Sequence, residues 1–286
     1  MSGPPALSDL DFTLFQALIE RETGIFLPEV KAPFLTGRLD GRVRELGLAS
    51  YRDYLDLCQR DVNERTRLLE AIATHETSFF REPKQWALLE SDVFPRWRTE
   101  VAQGRRLPRV RLWSAACATG EEPWSLAMAL LSAFPPGCLP GGASWDMAIL
   151  ATDFSTKALA RAREGRYPAA RRPQIPPEKL LLHWEEDEDG SLVARDTLRR
   201  LVHFDRVNLI RGGWPIPQFD LIFCRNVLIY FEPDVRAKVI DRLLGKLEPD
   251  GYLFLGGAET LGGAAGKVRM IIPTVYAPLP AAGKRA

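Results

Sequence analysis

The chain contains few of the residues that build metal centres or redox sites. Its four cysteines show no C-x-x-C spacing, and its three histidines follow no metal-ligand pattern. We therefore expect no bound metal and interpret the cysteines as buried free thiols. The net charge is only +1, which does not favour a nucleic-acid partner, and the local arginine clusters are interpreted as solvated faces.

Long apolar runs are also missing. No stretch of the sequence is long enough to span a bilayer, and its start lacks the basic and apolar segments of a signal peptide. The 286 residues, 46% of them hydrophobic, can nevertheless bury a sizeable core. We expect a cytoplasmic globular protein that does not insert into the membrane, and we take a monomer as the default state.

The first hundred residues show helical periodicity with no strand between the helices. Ser8, Ser50 and Asn63 are suited to cap helix starts, and Gly24 is suited to end the first helix. A second helix is predicted from about Pro33 to Leu46. These patterns indicate a small all-helical domain.

From Arg109 onward, predicted strands alternate with helices, which is typical of a parallel sheet. The expected strands are RVRLWSA, WDMAILATD, FDLIFCRN and GYLFLGG, followed by VRMIIPTVYAPL as an antiparallel edge. We predict a helical domain over residues 1–101, a linker at 102–108 and an α/β domain over 109–286. A small β-subdomain is expected within about 171–205.

Ligands of open α/β sheets bind beyond the carboxyl ends of the strands. The second predicted strand ends in Asp153 and the third in Arg225 and Asn226. An acidic residue at the end of the second strand commonly binds ribose hydroxyls, which indicates a nucleoside ligand. Asp153 is equally suited to cap the helix that begins near Ser155, so both interpretations stay open.

The loop after the first strand, SAACATGEE, has one glycine and two glutamates. A phosphate-binding loop needs the glycines of G-x-G-x-x-G and a helix start free of acid. Glu121 and Glu122 instead favour a ligand with a cationic centre and an ammonium group, and S-adenosylmethionine has both. Acids at a helix start are also stabilised by the unpaired amides there, so a purely structural role is the alternative.

Four segments together resemble the CheR family, the chemotaxis receptor glutamate O-methyltransferases. They are ATHETSFFREPKQW, WSAACATGEEPWSLAM, ATDFSTKALARAREGRYP, and FDLIFCRNVLIYFEPDVRAKVI with LEPDGYLFLGGAE. The resemblance covers nearly the whole chain in the right order. It implies a helical N-terminal domain and a class I S-adenosylmethionine-dependent methyltransferase domain, which is Rossmann-like and carries a small β-subdomain.

The resemblance also implies an activity and a partner. The expected reaction methylates glutamate side chains on the cytoplasmic helical domain of a chemoreceptor and leaves S-adenosylhomocysteine. Arg81 and Tyr230 are expected beside the transferred methyl group. A surface role for Arg81 and a core-packing role for Tyr230 are the alternatives.

Cofactor-binding and docking residues are carried over from the family by position. The cofactor set is His75, Thr77, Arg81, Glu122, Asp153, Asn208, Leu209, Arg225 and Asn226. Asp153 is expected to hold the ribose, and Asn208 with Leu209 to border the adenine. His75 stands where asparagine is usual, and an imidazole still offers one hydrogen bond. Arg38, Arg42 and Arg44 lie on the helix that the family uses for receptor recognition.

Two other functions compete with this one. A methyltransferase for nucleic acid or amines commonly carries an N-P-P-Y segment, whereas this sequence has RNVLIY. A non-catalytic sensor that binds S-adenosylmethionine would be expected to lack Arg81 or Tyr230, and both are present.

Overall fold

A computed structural model of the chain describes residues 6–279. Contacts divide this part of the chain into two units. The first unit contains residues 6–74 together with Tyr230–Arg236, and the second contains His75–Ile229 and residues 237–279.

The first unit is built from four helices whose starts are fixed by side-chain caps. They are α1 (Asp9–Thr23), α2 (Ala32–Glu45), α3 (Tyr51–Arg60) and α4 (Val62–Ile72). Ser8 and Ser50 cap α1 and α3, and Gly24 ends α1 with a φ of 77°. The prediction of Asn63 as a cap is wrong, because Asp61 accepts the amides of Asn63 and Glu64.

The apolar faces of α1–α4 form the core of the first unit. Phe15, Ile19, Leu35 and Leu55 are fully buried there. The later segment Tyr230–Arg236 belongs to the same unit. Its attachment is a short antiparallel bridge, beside which the amide of Phe26 donates to the carbonyl oxygen of Tyr230 over 2.8 Å.

The second unit combines a helical entry segment with two sheets. Its helices are α5 (Pro83–Leu88), α6 (Phe94–Ala102), α7 (Glu121–Ala133), α8 (Thr156–Glu164), α9 (Pro177–His183), α10 (Asp196–Arg199) and α11 (Pro233–Leu244), the last of which begins in the first unit. A π-helical turn at Leu89–Val93 joins α5 to α6. None of the helices described for the chain is long and apolar enough to cross a membrane.

The strands of the second unit follow in chain order. They are β1 (Arg109–Ala115), β2 (Asp146–Asp153), β3 (Arg166–Tyr167), β4 (Trp184–Glu186), β5 (Leu192–Ala194), β6 (Val202–Arg206), β7 (Phe219–Cys224), β8 (Leu247–Leu255), β9 (Val268–Ile272) and β10 (Val275–Pro278). The larger sheet has the order β6-β2-β1-β7-β8-β10-β9. The first five strands of this order, β6 to β8, pair in parallel with their neighbours. β10 pairs antiparallel with β8 on one side and with β9 on the other.

This sheet confirms the predicted Rossmann-like α/β fold with an antiparallel edge. β1 and β7 are almost wholly buried, as their continuous apolar sequences require. The carboxyl ends of the five parallel strands meet at one edge of the sheet, which we call the carboxyl edge. Six of the nine predicted cofactor residues lie at this edge, namely Glu122, Asp153, Asn208, Leu209, Arg225 and Asn226.

One strand was placed wrongly by the sequence analysis. β6 was included in the β insertion, but it is the parallel edge strand of the larger sheet, where Ile149 to Asp153 pair with Val202 to Arg206. Only Val202 of β6 is fully buried. An edge strand of this kind has no long apolar run to reveal it.

A second, three-stranded sheet has the order β3-β5-β4. The predicted β-subdomain at about 171–205 overlaps this sheet, which begins earlier, at Arg166. The predicted linker at 102–108 lies within the second unit, between α6 and β1. The division into a recognition domain and a catalytic domain stays a prediction.

Candidate functional site

Asp153 organises the loop that follows β1. Its carboxylate accepts the amide of Ala118 over 2.9 Å and the amide of Ser155 over 2.9 Å. Asp153 is 4% exposed, and this burial raises the pKa of its carboxyl, opposed by the amide hydrogen bonds. Ser155 itself caps α8, so the structural alternative for Asp153 as the helix cap does not hold.

The loop after β1 has an unusual backbone. Ala116 and Ala118 have φ values of 66° and 49°, although neither is glycine. Gly120 has a φ of 99°, and a Cβ added there would lie 2.8 Å from the side chains of Ala162 and Tyr167. Tyr167 also donates its hydroxyl to the carbonyl oxygen of Thr119 over 2.7 Å. The loop is therefore tightly packed against β3 and α8.

We expect Gly120→Ala to lower the free energy of unfolding more than Gly104→Ala does. Both glycines have positive φ, but the space around Gly104 is open. Backbone strain costs about 1–2 kcal/mol at either position, and crowding adds about 1–3 kcal/mol at Gly120 alone. Denaturant unfolding of both variants measures the difference. Equal losses would mean that Ala162 and Tyr167 both give way to the added methyl group without cost.

The two adjacent acids at the start of α7 have different surroundings. Glu121 is 1% exposed, accepts the hydroxyl of Thr119 over 2.7 Å and lies 3.5 Å from the guanidinium of Arg171. Glu122 accepts the hydroxyl of Ser114, at the end of β1, over 2.6 Å. Burial raises the pKa of the Glu122 carboxyl, and the nearby Arg225 and Ser114 oppose that shift. Glu122 is therefore the acid held at the carboxyl edge.

Arg225 joins three segments at the end of β7. Its guanidinium donates to Glu122 over 3.3 Å and to the carbonyl oxygen of Arg81 over 2.6 Å. It also lies 3.5 Å from the carboxylate of Glu82. The side chain is 3% exposed, and its buried Nε has no hydrogen-bond partner among the described residues. Arg225 is thus a buried cation between Glu82 and Glu122, and its Nε is a hydrogen-bond donor without an acceptor in the described chain.

The segment from His75 to Arg81 lies at the start of the second unit. The buried Nε2 of His75 has no hydrogen-bond partner among residues 6–279. The carbonyl oxygen of Thr77 accepts from Arg171 over 3.4 Å. Arg81 is half-buried, and its guanidinium donates to the carbonyl oxygen of Glu76 over 3.3 Å.

Asn208 and Leu209 follow the edge strand β6. The amide of Val207 donates to the carbonyl oxygen of Asp153 over 3.1 Å, which keeps the two chain segments adjacent. The side-chain oxygen of Asn208 accepts the amide of Ile210 over 3.1 Å, and Leu209 is 7% exposed. A polar and an apolar residue therefore lie beside the end of β2.

Tyr230 and the docking arginines belong to the first unit. Arg42 donates twice to Glu64, over 2.7 and 2.6 Å, and this pairing raises the pKa of the guanidinium. Arg44 pairs with Asp40 over 3.3 Å. Arg38 is exposed, with its guanidinium 5.1 Å from the ring of Phe34. The three arginines are therefore not equivalent, and Arg42 already has a structural partner.

Two acids beside the site, Glu82 and Glu259, are not predicted from the sequence. Glu82 has a φ of 64°, approaches Arg225 and accepts the amide of Gly257 over 2.9 Å. Glu259 is 4% exposed and accepts backbone amides at the ends of β7 and β8. Apart from Gly256, which lies three residues before Glu259, their partners are distant in sequence, so local spacing does not reveal them. The segment GGAE directly follows a predicted strand, and an acid in that position could have been predicted to lie at the carboxyl edge.

Two family profiles match the chain. The family described as "CheR methyltransferase, SAM binding domain" matches residues 75–277. The family described as "CheR methyltransferase, all-alpha domain" matches residues 10–73.

Curated relatives match over nearly their full length. A "Chemotaxis protein methyltransferase" of Vibrio anguillarum is 35% identical over 270 residues, which cover 93% of this chain and 94% of the relative. "Chemotaxis protein methyltransferase 2" of Pseudomonas aeruginosa is 35% identical, with coverages of 94% and 92%. A "Chemotaxis protein methyltransferase" of Salmonella typhimurium is 34% identical, with coverages of 95% and 91%.

Proposed function

This chain belongs to the CheR methyltransferase family, and from that premise we propose that it methylates glutamate side chains of a chemoreceptor with S-adenosylmethionine. The products are glutamate methyl esters and S-adenosylhomocysteine. The observation that carries the proposal is the cluster of Asp153, Glu122 and Arg225 at the carboxyl edge of the sheet.

The residues at the carboxyl edge fit S-adenosylmethionine chemically. The buried carboxylate of Asp153 is suited to accept two ribose hydroxyls. Glu122 supplies negative charge for an ammonium group, while the Nε of Arg225 and the Nε2 of His75 are buried polar atoms that lack partners in the described chain. Two acids at the start of α7 disfavour a phosphate-containing ligand there.

The remaining cofactor residues have roles that follow from their chemistry. Asn208 and Leu209 offer a polar and an apolar contact for the adenine. Thr77 and Asn226 complete the set that the family resemblance assigns. When bound, the cofactor supplies an electrophilic methyl group on a sulfonium centre.

The acceptor needs alignment rather than activation. A glutamate carboxylate with a pKa of about 4.3 is already ionised at neutral pH, so no general base is required. We assign Arg81 to hold this carboxylate, because a guanidinium can donate two parallel hydrogen bonds to it. The task of Arg81 is to keep an acceptor oxygen in line with the methyl group. The family resemblance implies Tyr230 as a second hydrogen-bond donor.

The partner in this proposal is the cytoplasmic helical domain of a chemoreceptor. Esterification removes a negative charge from the receptor and relieves repulsion between neighbouring acids. This changes the energetic balance between receptor states without any further modification.

Calorimetric titration followed by a transfer assay in the same sample tests the proposal. The protein is titrated with S-adenosylmethionine and with S-adenosylhomocysteine, and a receptor cytoplasmic fragment is then added. Binding together with base-labile methyl incorporation supports a carboxylate O-methyltransferase. Binding without transfer to acidic helical substrates would favour a non-catalytic sensor. Base-stable incorporation would indicate another acceptor class.

Charge reversal separates docking from folding on α2. We expect Arg38→Glu to raise the receptor KM by about three- to tenfold with kcat unchanged, because it places a negative charge where an acidic partner docks. Arg42→Glu should instead destabilise the first unit by about 1–3 kcal/mol, since it removes both guanidinium hydrogen bonds of the buried Glu64 and leaves it the hydroxyl of Tyr54 and the more distant Arg67. Steady-state kinetics and thermal unfolding of both variants measure the two effects. An unchanged KM in Arg38→Glu would remove this residue from the docking surface.

We expect cofactor affinity to fall on acidification. The fall should begin at a higher pH than the protonation of an ordinary, exposed aspartate would produce. The ionised carboxylate of Asp153 accepts hydroxyl hydrogen bonds, and protonation removes that capacity. Since burial raises its pKa, protonation begins above the usual aspartate range near about 3.9. Titrations with S-adenosylhomocysteine across pH test this, with Asp153→Asn as the comparison. A wild-type affinity that varies with pH in the same way as that of Asp153→Asn would contradict the prediction.

A further inference from the structure

Glu259 lies outside every set of residues assigned above, yet its carboxylate is among the most heavily hydrogen-bonded groups of the second unit. Oε1 accepts the amides of Val227 and Leu228 over 2.9 and 2.7 Å. Oε2 accepts the amides of Asn226 and Gly256 over 2.9 and 2.6 Å. One side chain therefore satisfies four backbone donors.

These donors come from the two loops that leave adjacent parallel strands. Asn226, Val227 and Leu228 follow β7, and Gly256 follows β8. Glu259 is 4% exposed, so water cannot easily replace its oxygens. Buried amides without an acceptor are costly. The carboxylate therefore ties the two loop starts together at the carboxyl edge.

The backbone that Glu259 holds is strained and crowded. Asn226 has a φ of 59°, in the left-handed region, which residues with a side chain seldom adopt and asparagine tolerates better than most. A Cβ added to Gly256 would lie 2.8 Å from the amide nitrogen of Asn226 and 2.7 Å from its side-chain nitrogen. Strained backbone persists only where its surroundings enforce it, and the amide of Asn226 is one of the groups bonded to Glu259.

The residue just before this backbone is Arg225. Its guanidinium reaches Glu122, Glu82 and the carbonyl oxygen of Arg81 at the same time. The neighbour of Gly256, Gly257, donates its amide to Glu82 over 2.9 Å. The amides of the two glycines thus bind the two acids that the sequence analysis missed. A shift of the loop after β7 would displace the guanidinium from its three acceptors.

We propose that Glu259 is a positioning residue of the cofactor site, which fixes the backbone of Asn226 to Leu228 and thereby aims the Arg225 guanidinium. The proposal deepens the proposed function and rests on it for the identity of the ligand. Glu259 acts through backbone amides and is assigned no contact with the ligand.

Glu259→Gln is the most direct variant. It keeps the length of the side chain but replaces one oxygen by an NH₂ group, which faces two amide donors and can accept from neither. We expect the affinity for S-adenosylhomocysteine to fall at least about tenfold, as expected for loss of more than one hydrogen bond to a charged group. Glu259→Asp retains the charge but is one methylene shorter, so it should also lose affinity.

Asp220→Asn is the matched control. Asp220 is a buried acid at the opposite end of the same strand β7, where it accepts the amide of Arg111 over 2.7 Å. Its replacement also leaves a buried amide without a charged acceptor, but far along the strand from Asn226. We expect lower thermal stability with unchanged affinity for S-adenosylhomocysteine.

Hydrogen exchange gives a readout that needs no ligand. Amides 226–228 and 256 should exchange at least about tenfold faster in Glu259→Gln than in Asp220→Asn, when the two are compared at conditions of equal global stability. Rapid exchange with weakened binding supports the proposal. Exchange and affinity in Glu259→Gln that match those of Asp220→Asn would overturn it.

The two readouts separate this proposal from the proposed function. If wild-type protein fails to bind S-adenosylhomocysteine, the proposed ligand is wrong, and exchange at the four amides alone decides whether Glu259 fixes the loop. If wild-type protein binds and Glu259→Gln binds equally well, Glu259 is not a positioning residue, and the proposed function stands.

Discussion

Asp153→Ala is expected to weaken the binding of S-adenosylhomocysteine by roughly 10- to 150-fold. The carboxylate is proposed to accept the ribose hydroxyls, and hydrogen bonds to a charged group contribute about 1.5–3 kcal/mol. The substitution also frees the amide of Ala118, so the strained loop after β1 loses an anchor. Isothermal titration calorimetry measures the effect directly.

The control for this variant is Asp220→Ala. Both aspartates are buried in the same sheet and both accept a backbone amide, but Asp220 is at the start of β7. Asp220→Ala should lower thermal stability and leave the dissociation constant unchanged. A wild-type dissociation constant in Asp153→Ala would remove this residue from the cofactor site.

Arg81→Ala is expected to reduce kcat by about 10²- to 10³-fold, the usual cost of removing a positioned donor from a reacting centre. Cofactor binding should change much less. The carbonyl oxygen of Arg81, which accepts from Arg225 and Trp86, is backbone and survives the substitution. The site at the carboxyl edge therefore keeps its hydrogen bonds while the acceptor loses its guanidinium.

Single-turnover methylation and calorimetry on the same preparation test this separation. Arg98→Ala serves as the control, because Arg98 is an exposed arginine of α6 outside the assigned residues. Equal losses of transfer and of cofactor affinity in Arg81→Ala would make Arg81 a cofactor ligand. Its proposed role at the acceptor carboxylate would then be wrong.

The sequence predicts the regular parts of the fold well, because their signals are local. β1 and β7 are buried strands with continuous apolar sequences. The helix predicted from about Pro33 to Leu46 is α2, which spans Ala32–Glu45. β6 was assigned to the β insertion because it is an edge strand with one buried residue, and its sequence therefore lacks the apolar run that marks the other strands of the larger sheet. The cap of α4 was assigned to Asn63 and not to Asp61, because both side chains can accept the amides at a helix start and they are only two residues apart.

The candidate site was only partly accessible from the sequence. Strand ends and family motifs identify Asp153, Glu122 and Arg225, and the structure links Glu122 to Arg225 directly. Glu82 and Glu259 were not predicted because most of their partners belong to remote segments, Arg225 and Gly257 for Glu82 and the amides of residues 226–228 for Glu259. The family resemblance also suggested that Arg42 is available for docking, whereas Glu64, 22 residues away in sequence, binds it.

The most direct test of the central claim is to locate the transferred methyl group. A receptor cytoplasmic fragment is incubated with the protein and S-adenosylmethionine, digested at acidic pH and mapped by mass spectrometry. We predict methyl esters on glutamate side chains of the helical region, which disappear after base treatment and are not formed when those glutamates are replaced by alanine. Methylation confined to lysine, arginine or another nitrogen would contradict the account.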